Sequence, residues 1–458
     1  MEKISRRLSR CLDIIGYRMD LIRCRRDMYS ALDRQLNMKW KEYTQLTAGS
    51  KAEGIAKYYE SDVDRLFIYK NVNCFENGIS NSNSVVFHMD QVGCSPGYTR
   101  LILSNLSKGK LSSEVSNCLV FDNGHTYISN KFNESFVAFS EYGRNAHKLD
   151  VNGSHAEFVR NHGPCASFRS ENLKYDFVAG FKCTSEKLLQ KWKQRKRTCN
   201  WPDPKLVNEI STINGTVVPV ANVNSRFPNT EWRICFTQAE LLLVNSLDEH
   251  QIKVYLLLKQ LSKAVLEPIC PAVSSYIVKN VILWQAENTP KKYFAPNCLL
   301  LRTIEALKFL QDCLKSNLLR SYMIEDRNIF QGRIYEGQRK QLIDKIDQLL
   351  NKDEEFINES KKAFSEYEYF DTPTFIRKAE KEEQIEKLLL MQSLAYLKVY
   401  DRSYTREQFL HCLGEDQEYS ELKAELYSLV VPERRNEPIH DINFLLYRKR
   451  LFCILQKH

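Results

Sequence analysis

The chain has 458 residues, more than one small hydrophobic core organises, so two or three lobes are expected. Its 43% hydrophobic and 27% charged residues match ordinary globular usage, and with only 16 Gly and 13 Pro long disordered linkers are not expected. The formal net charge of +9 is clustered rather than spread, which points to polyanion contact more than to simple solubility. No run approaches the roughly 20 apolar residues of a membrane span. Residues 1–27 lack the apolar core of a signal peptide. A soluble, cytoplasmic protein without a membrane partner is therefore expected. The 14 cysteines are then mostly reduced thiols. They contain no CxxC pair, and His162, Cys165, Cys183 and Cys199 are irregularly spaced, so no zinc is expected.

The first forty residues predict one long helix. Ile4, Leu8, Cys11, Ile15, Met19 and Ile22 recur at spacings of three and four, on one face. The remaining faces are basic, with Arg6, Arg7, Arg10, Arg18, Arg23, Arg25 and Arg26. Such a face is either solvated or laid along a polyanion. From about residue 43 the pattern turns to short β-rich runs at 65–69, 85–89 and 101–103, separated by turn signals such as Asn77-Gly78 and Ser95-Pro96-Gly97. From Ala239 helical spacing dominates, through Leu241, Leu242, Val244, Val254, Leu257, Leu258 and Leu261, then Leu301, Ile304, Leu307 and Leu310. A charged break at 352–355 and a turn at 370–373 set off a last stretch with helical segments at 378–400 and 406–430. The expected organisation is α+β: an N-terminal spine helix over 1–40, a mixed-sheet lobe over 41–215, a helical lobe over 216–352 and a C-terminal helical extension over 353–458.

Thr47-Ala48-Gly49-Ser50 is followed, eleven residues later, by Asp62-Val63-Asp64 and an apolar strand-like run. Carboxylates at i and i+2 on a strand point to one side. Two such acids can hold divalent ions, which prefer hard oxygen ligands. A Gly-Ser turn upstream lets backbone N–H groups approach phosphates closely. Alone, each piece is weak. Together they make the pattern of Gly-Ser, a spacer, then acid, apolar residue, acid, which resembles the polymerase-β-like nucleotidyltransferases. Arg65 stands where that superfamily has an apolar residue. Asp176, in the apolar run 173–178, is the candidate third carboxylate.

Further boxes sharpen the resemblance. They are Pro96-Gly97-Tyr98-Thr99-Arg100-Leu101, His162-Gly163-Pro164, Tyr175-Asp176-Phe177-Val178, Trp192 among basic residues and Trp201-Pro202. Glu231-Trp232-Arg233-Ile234-Cys235-Phe236-Thr237, Lys259, Ser274-Ser275-Tyr276-Ile277-Val278-Lys279, Trp284 and Glu287 follow in order. Over roughly residues 1–350 the chain resembles the male-abnormal family, which includes cyclic GMP-AMP synthase and the related receptors of innate immunity. The resemblance implies a bilobal nucleotidyltransferase fold. It implies that Asp62, Asp64 and Asp176 are catalytic and hold two Mg2+ or Mn2+ ions. Gly49 and Ser50 would cradle the donor triphosphate. Arg233 would reach a base or phosphate, Thr237 and Glu240 would read a base, Lys259 and Ser275 would touch phosphate, and Tyr276 would stack on a base. Cys235 departs from the family's Ser, which leaves base recognition there open.

The implied activity is an activator-gated cyclic dinucleotide synthase, with ATP and/or GTP as substrates and a cyclic-dinucleotide receptor downstream. The missing zinc insertion leaves double-stranded RNA as the expected activator. Basic residues Arg18, Arg25, Lys191, Lys193, Arg195, Lys196 and Arg197 are the expected contacts, since phosphates dominate nucleic-acid affinity. Two other readings stay open: a catalytically inactive family member acting as a nucleic-acid-binding or scaffold protein, and a transferase making linear products.

Overall fold

A computed structural model describes residues 1–76, 83–104, 109–139, 157–162, 165–170, 173–401, 403–431 and 451. The Asn77-Gly78 turn and Gly163-Pro164 lie outside them. The expected single helix over 1–40 is two. Helix α1 (Glu2–Leu12) and helix α2 (Met19–Lys39) are joined by a π-turn over Asp13–Tyr17, where Gly16 takes φ +100°. The apolar spacing runs through the joint unbroken, so periodicity alone could not locate it. A left-handed residue cannot continue a helix, and only Gly adopts it without strain. The kink frees the Gly16 carbonyl, and the Arg25 guanidinium donates to it at 2.8 Å.

A mixed sheet follows. Its strands are β1 (Tyr43–Ala48), β2 (Val63–Phe75), β3 (Val85–Asp90), β4 (Tyr98–Leu103), β5 (Leu119–Asp122), β6 (His125–Ile128), β7 (Glu157–His162), β8 (Cys165–Ser170), β9 (Leu173–Thr184), β10 (Gly215–Val218) and β11 (Glu231–Cys235). The main path runs β1-β2-β3-β4-β11-β10-β9-β8-β7. The long strand β2 also pairs in parallel with β9, so the path returns on itself. The inner face is aromatic. Phe67, Phe177, Phe181 and Trp232 are fully or nearly fully buried, and the Trp232 indole N–H donates to the Ile128 carbonyl at 3.0 Å. Along β9 the buried Tyr175 and Phe177 alternate with half-buried Asp176 and Val178. That two-residue period sends the aromatics into the core and Asp176 to the other side.

Helices carry the rest. Glu249–Leu261, Ser275–Asn288 and Leu299–Lys315 pack together, and Glu336–Asn351 lies against the last of these. Asp248 closes a capping box with Gln251 at the start of the first, satisfying end donors that would otherwise be orphaned. In the extension, Thr372 caps the helix Pro373–Val399 with Pro at its first turn. This helix does not stand apart: it packs along α2 and the π-turn. No helix among the described residues is long and apolar enough to cross a membrane.

Candidate active site

One cavity of about 340 Å³ lies between the sheet and the helices. Its floor comes from three strands in register. Ala48 pairs with Asp64 across β1 and β2, and Asp64 pairs with Asp176 across β2 and β9. The two carboxylates therefore stand side by side and both line the cavity. Gly49 follows at φ +62°, opening the one-turn helix α3 (Gly49–Ala52). A Cβ at Gly49 would come within 2.1 Å of the Asp64 carboxylate, so this contact requires glycine. Burial, then repulsion from Asp176 and Asp62, pushes the Asp64 carboxyl up to about 6. Asp176 accepts a hydrogen bond from the Ser167 hydroxyl at 2.5 Å across β8.

Asp62 does not join them as expected. It precedes β2 by one residue, where the register carried back from Val63–Tyr175 sets it opposite Lys174. The Lys174 ammonium holds its carboxylate at 2.8 Å. Among the described residues, no three Asp, Glu, His or Cys side chains converge as a ready metal site would require. The pair Asp64–Asp176 still suits a divalent cation. Both offer hard oxygens, and among the described residues no basic side chain lies within ion-pair distance of Asp64.

The opposite walls come from the helices. The Lys259 ammonium, held below the usual lysine range by burial, donates to the Ser50 hydroxyl at 2.7 Å. Thr237 and Glu240 sit on the first turn of the helix Thr237–Asn245, and Ser275 and Tyr276 on that of Ser275–Asn288; all four line the cavity. The Tyr276 hydroxyl donates to Glu240 at 3.2 Å. Arg233, on β11, lines the cavity with its Nε directed to the Cys235 thiol at 3.4 Å.

Charged lining residues to which the sequence gave no site role include Glu53, Arg327, Arg333 and Lys279, the last quoted only as part of a box. Lys279 bridges Glu53 at 3.3 Å and Glu240 at 2.9 Å, tying α3 to two helices. Its signal was available, because it lies one helical turn after Ser275. Glu53, one turn after Gly49, accepts from the Tyr255 hydroxyl at 3.1 Å. No local pattern marks Arg327 or Arg333.

Residues 230–348 match the model of the Mab-21 protein HhH/H2TH-like domain. That segment is thus similar to a domain of the Mab-21 proteins, in line with the resemblance drawn from the sequence boxes. The matched segment supplies one side of the cavity, including Arg233, Thr237, Glu240, Ser275, Tyr276 and Lys279. The Asp64–Asp176 floor lies upstream of it.

The expected nucleic-acid contacts need correction. Arg25 is buried and gives a two-pronged ion pair to Glu386, at 2.7 and 3.0 Å. Arg195 is nearly buried between the Trp284 and Tyr322 rings and pairs with Glu287 at 2.8 Å and Glu325 at 3.0 Å. Arg197 stacks on Trp192 and pairs with Glu287 at 3.4 Å. These three hold the fold and are not free for phosphate. Arg18 pairs with Asp20 and Glu383 at 2.9 Å each, and Lys191 pairs with Asp326. Lys193 is half-buried and Lys196 exposed. The expected continuous groove is therefore broken up by acids of the extension and of the helical region.

Proposed function

We propose that this protein is a nucleotidyltransferase that joins two nucleoside triphosphates, ATP and/or GTP, into a cyclic dinucleotide that acts on a downstream receptor in innate immune signalling. The observation that carries the reading is the register of Asp64 beside Asp176 under the Gly49 turn, facing Tyr276 and Arg233 across one cavity. Asp64 and Asp176, with Asp62 once released from Lys174, would hold Mg2+ or Mn2+. When bound there, the ions would neutralise charge developing at the α-phosphate. Ser50 and Lys259 are placed to contact phosphate, and the Tyr276 ring to stack on a base. Asp176, accepting from Ser167, is the group positioned to take the proton of an attacking hydroxyl. The protein would work in the cytoplasm.

The Asp62–Lys174 pair favours gating: an activator, with double-stranded RNA the leading choice, would free Asp62 and complete the acid set. The same pair is the one observation that favours the alternative, an inactive family member that acts by binding. Purified protein with all four labelled nucleoside triphosphates, Mg2+ or Mn2+, and duplex RNA or DNA separates the two. Expected is a phosphatase-resistant product, reduced roughly a thousandfold in Asp64→Asn and Asp176→Asn. A product made equally by those variants, or triphosphates left unconsumed and unbound under every activator, would sink the synthase reading.

A further inference from the structure

The cavity is electrostatically lopsided. Its acids Asp64, Asp176 and Glu53 gather around α3, and the Lys279 ammonium is taken up by Glu53 and Glu240. Four arginines also line it: Arg65 on β2, whose guanidinium lies over the Tyr175 ring, and three at the other end, Arg233 from β11, and Arg327 and Arg333 from the segment between the helices Leu299–Lys315 and Glu336–Asn351. Among the described residues none of the three has a carboxylate within ion-pair distance, unlike Arg25, Arg195 and Arg197.

Each of the three is held in place. Arg327 is only 7% exposed and lies over the Tyr98 ring at 5.3 Å. A Cβ at Gly97, φ +80°, would meet the Arg327 side chain at 3.0 Å, so the chain gives way to it. Gly332, φ +70°, turns the backbone immediately before Arg333. Arg233 neighbours Tyr98 across β4 and β11. Burial, and then the charges of Arg233 and Arg327, hold the Arg333 guanidinium below the usual arginine range. Buried charges are ordinarily paired, because desolvation without compensation is costly. Converging guanidiniums with no acid await an anion from outside. A neutral base edge occupies one planar fork and would leave the other charges uncompensated. A phosphate chain, with several oxygens and several charges, matches all three.

We propose that Arg233, Arg327 and Arg333 form a second phosphate subsite, separate from the Gly49–Ser50 turn, that takes the phosphates of a second nucleotide. The proposal rests on the reading of this cavity as a nucleotide pocket. One triphosphate lies over the acids with its metal. The other nucleotide's phosphates lie at the arginine end, where no metal is needed.

That difference gives the test. Inorganic tripolyphosphate is titrated calorimetrically into the full chain in EDTA, where the carboxylate end has no metal to bridge to phosphate. Wild type is expected to bind. Arg327→Gln and Arg333→Gln should each weaken binding roughly tenfold, the scale of one charge-assisted hydrogen bond. Their melting temperatures should be unchanged or higher, since a repulsion is relieved. Arg333→Lys should fall between, and Lys308→Gln, an exposed lysine outside the cavity, should bind as wild type does. Wild type that fails to bind in EDTA, or glutamine variants that bind equally well, would overturn the subsite. Arginine-dependent binding by a protein that makes no product under any activator would keep the subsite and reject the synthase. Product from wild type together with unaltered tripolyphosphate affinity in the variants would do the reverse.

Discussion

Arginines of the N-terminal helices and arginines of the cavity are the same residue put to opposite uses. Arg7, Arg18 and Arg25 meet Asp371, Glu383 and Glu386 of the C-terminal extension, so each charge is matched within the chain. Glu386 also accepts from the Tyr58 backbone N–H at 2.8 Å, and so reaches the loop between the Gly49 turn and Asp62. Among the described residues, Arg233, Arg327 and Arg333 have no carboxylate within ion-pair distance. A dense basic run in a sequence therefore does not identify a binding face. What matters is whether the fold has already spent the charge.

The largest effect that would sharpen this contrast is at Arg25. Arg25→Met leaves Glu386 buried beside Tyr58 without its cation, and should cost roughly 3–5 kcal/mol in urea denaturation. Adding Glu386→Met should restore most of it, because two apolar groups need no compensation. Arg327→Met, by contrast, should leave stability unchanged or slightly raised. Equal losses at Arg25 and Arg327 would erase the distinction.

Lys51 tests an intermediate case, a buried ammonium whose contacts are carbonyls. It is fully buried and donates to the Tyr58 carbonyl at 2.5 Å and to that of Lys57. Burial pushes it down to about 7. The unfolded lysine titrates near 10.4. Between those values the unfolded chain binds a proton that the folded chain lacks, so stability should rise with pH from about 7 to about 10.4. Below about 7 both forms are protonated and the contribution is flat. The gain over the whole window should be on the order of 4–5 kcal/mol, and Lys51→Met should remove the slope. A wild type whose melting temperature is level across that range would contradict the assignment.

The smallest effect is at Arg7, whose pair with Asp371 is 39% exposed on each side. Arg7→Ala should cost about 1 kcal/mol or less, and that loss should fade at high salt. A loss as large as Arg25→Met would mean that exposure does not govern what these pairs contribute.

Part of the site was readable from sequence because it is local. Asp176 sits in a run of two-residue period, so its facing followed from strand alternation, Asp64 opens an apolar strand, and Gly49-Ser50 announced a turn. Ser275 and Tyr276 came from a resemblance carried by short boxes. Asp62 shows where locality stops. Its i+2 spacing to Asp64 predicted a shared face, but it lies outside the strand and answers to Lys174, 112 residues away. The kink at Gly16 was hidden because the apolar period continued through it.

By itself, then, the sequence determined the alternation that brings Asp176 to one side of its strand, the glycine that lets the chain pass over Asp64, and the helical spacing of the second half. Only the tertiary structure decided which charges are neutralised. Arg25 finds Glu386 across 361 residues, and Arg327 and Arg333 reach the cavity from a connecting segment with no period of its own. The physical reason is range. Backbone periodicity acts over a few residues, whereas a buried charge is matched by whatever the completed fold sets within a few ångströms of it.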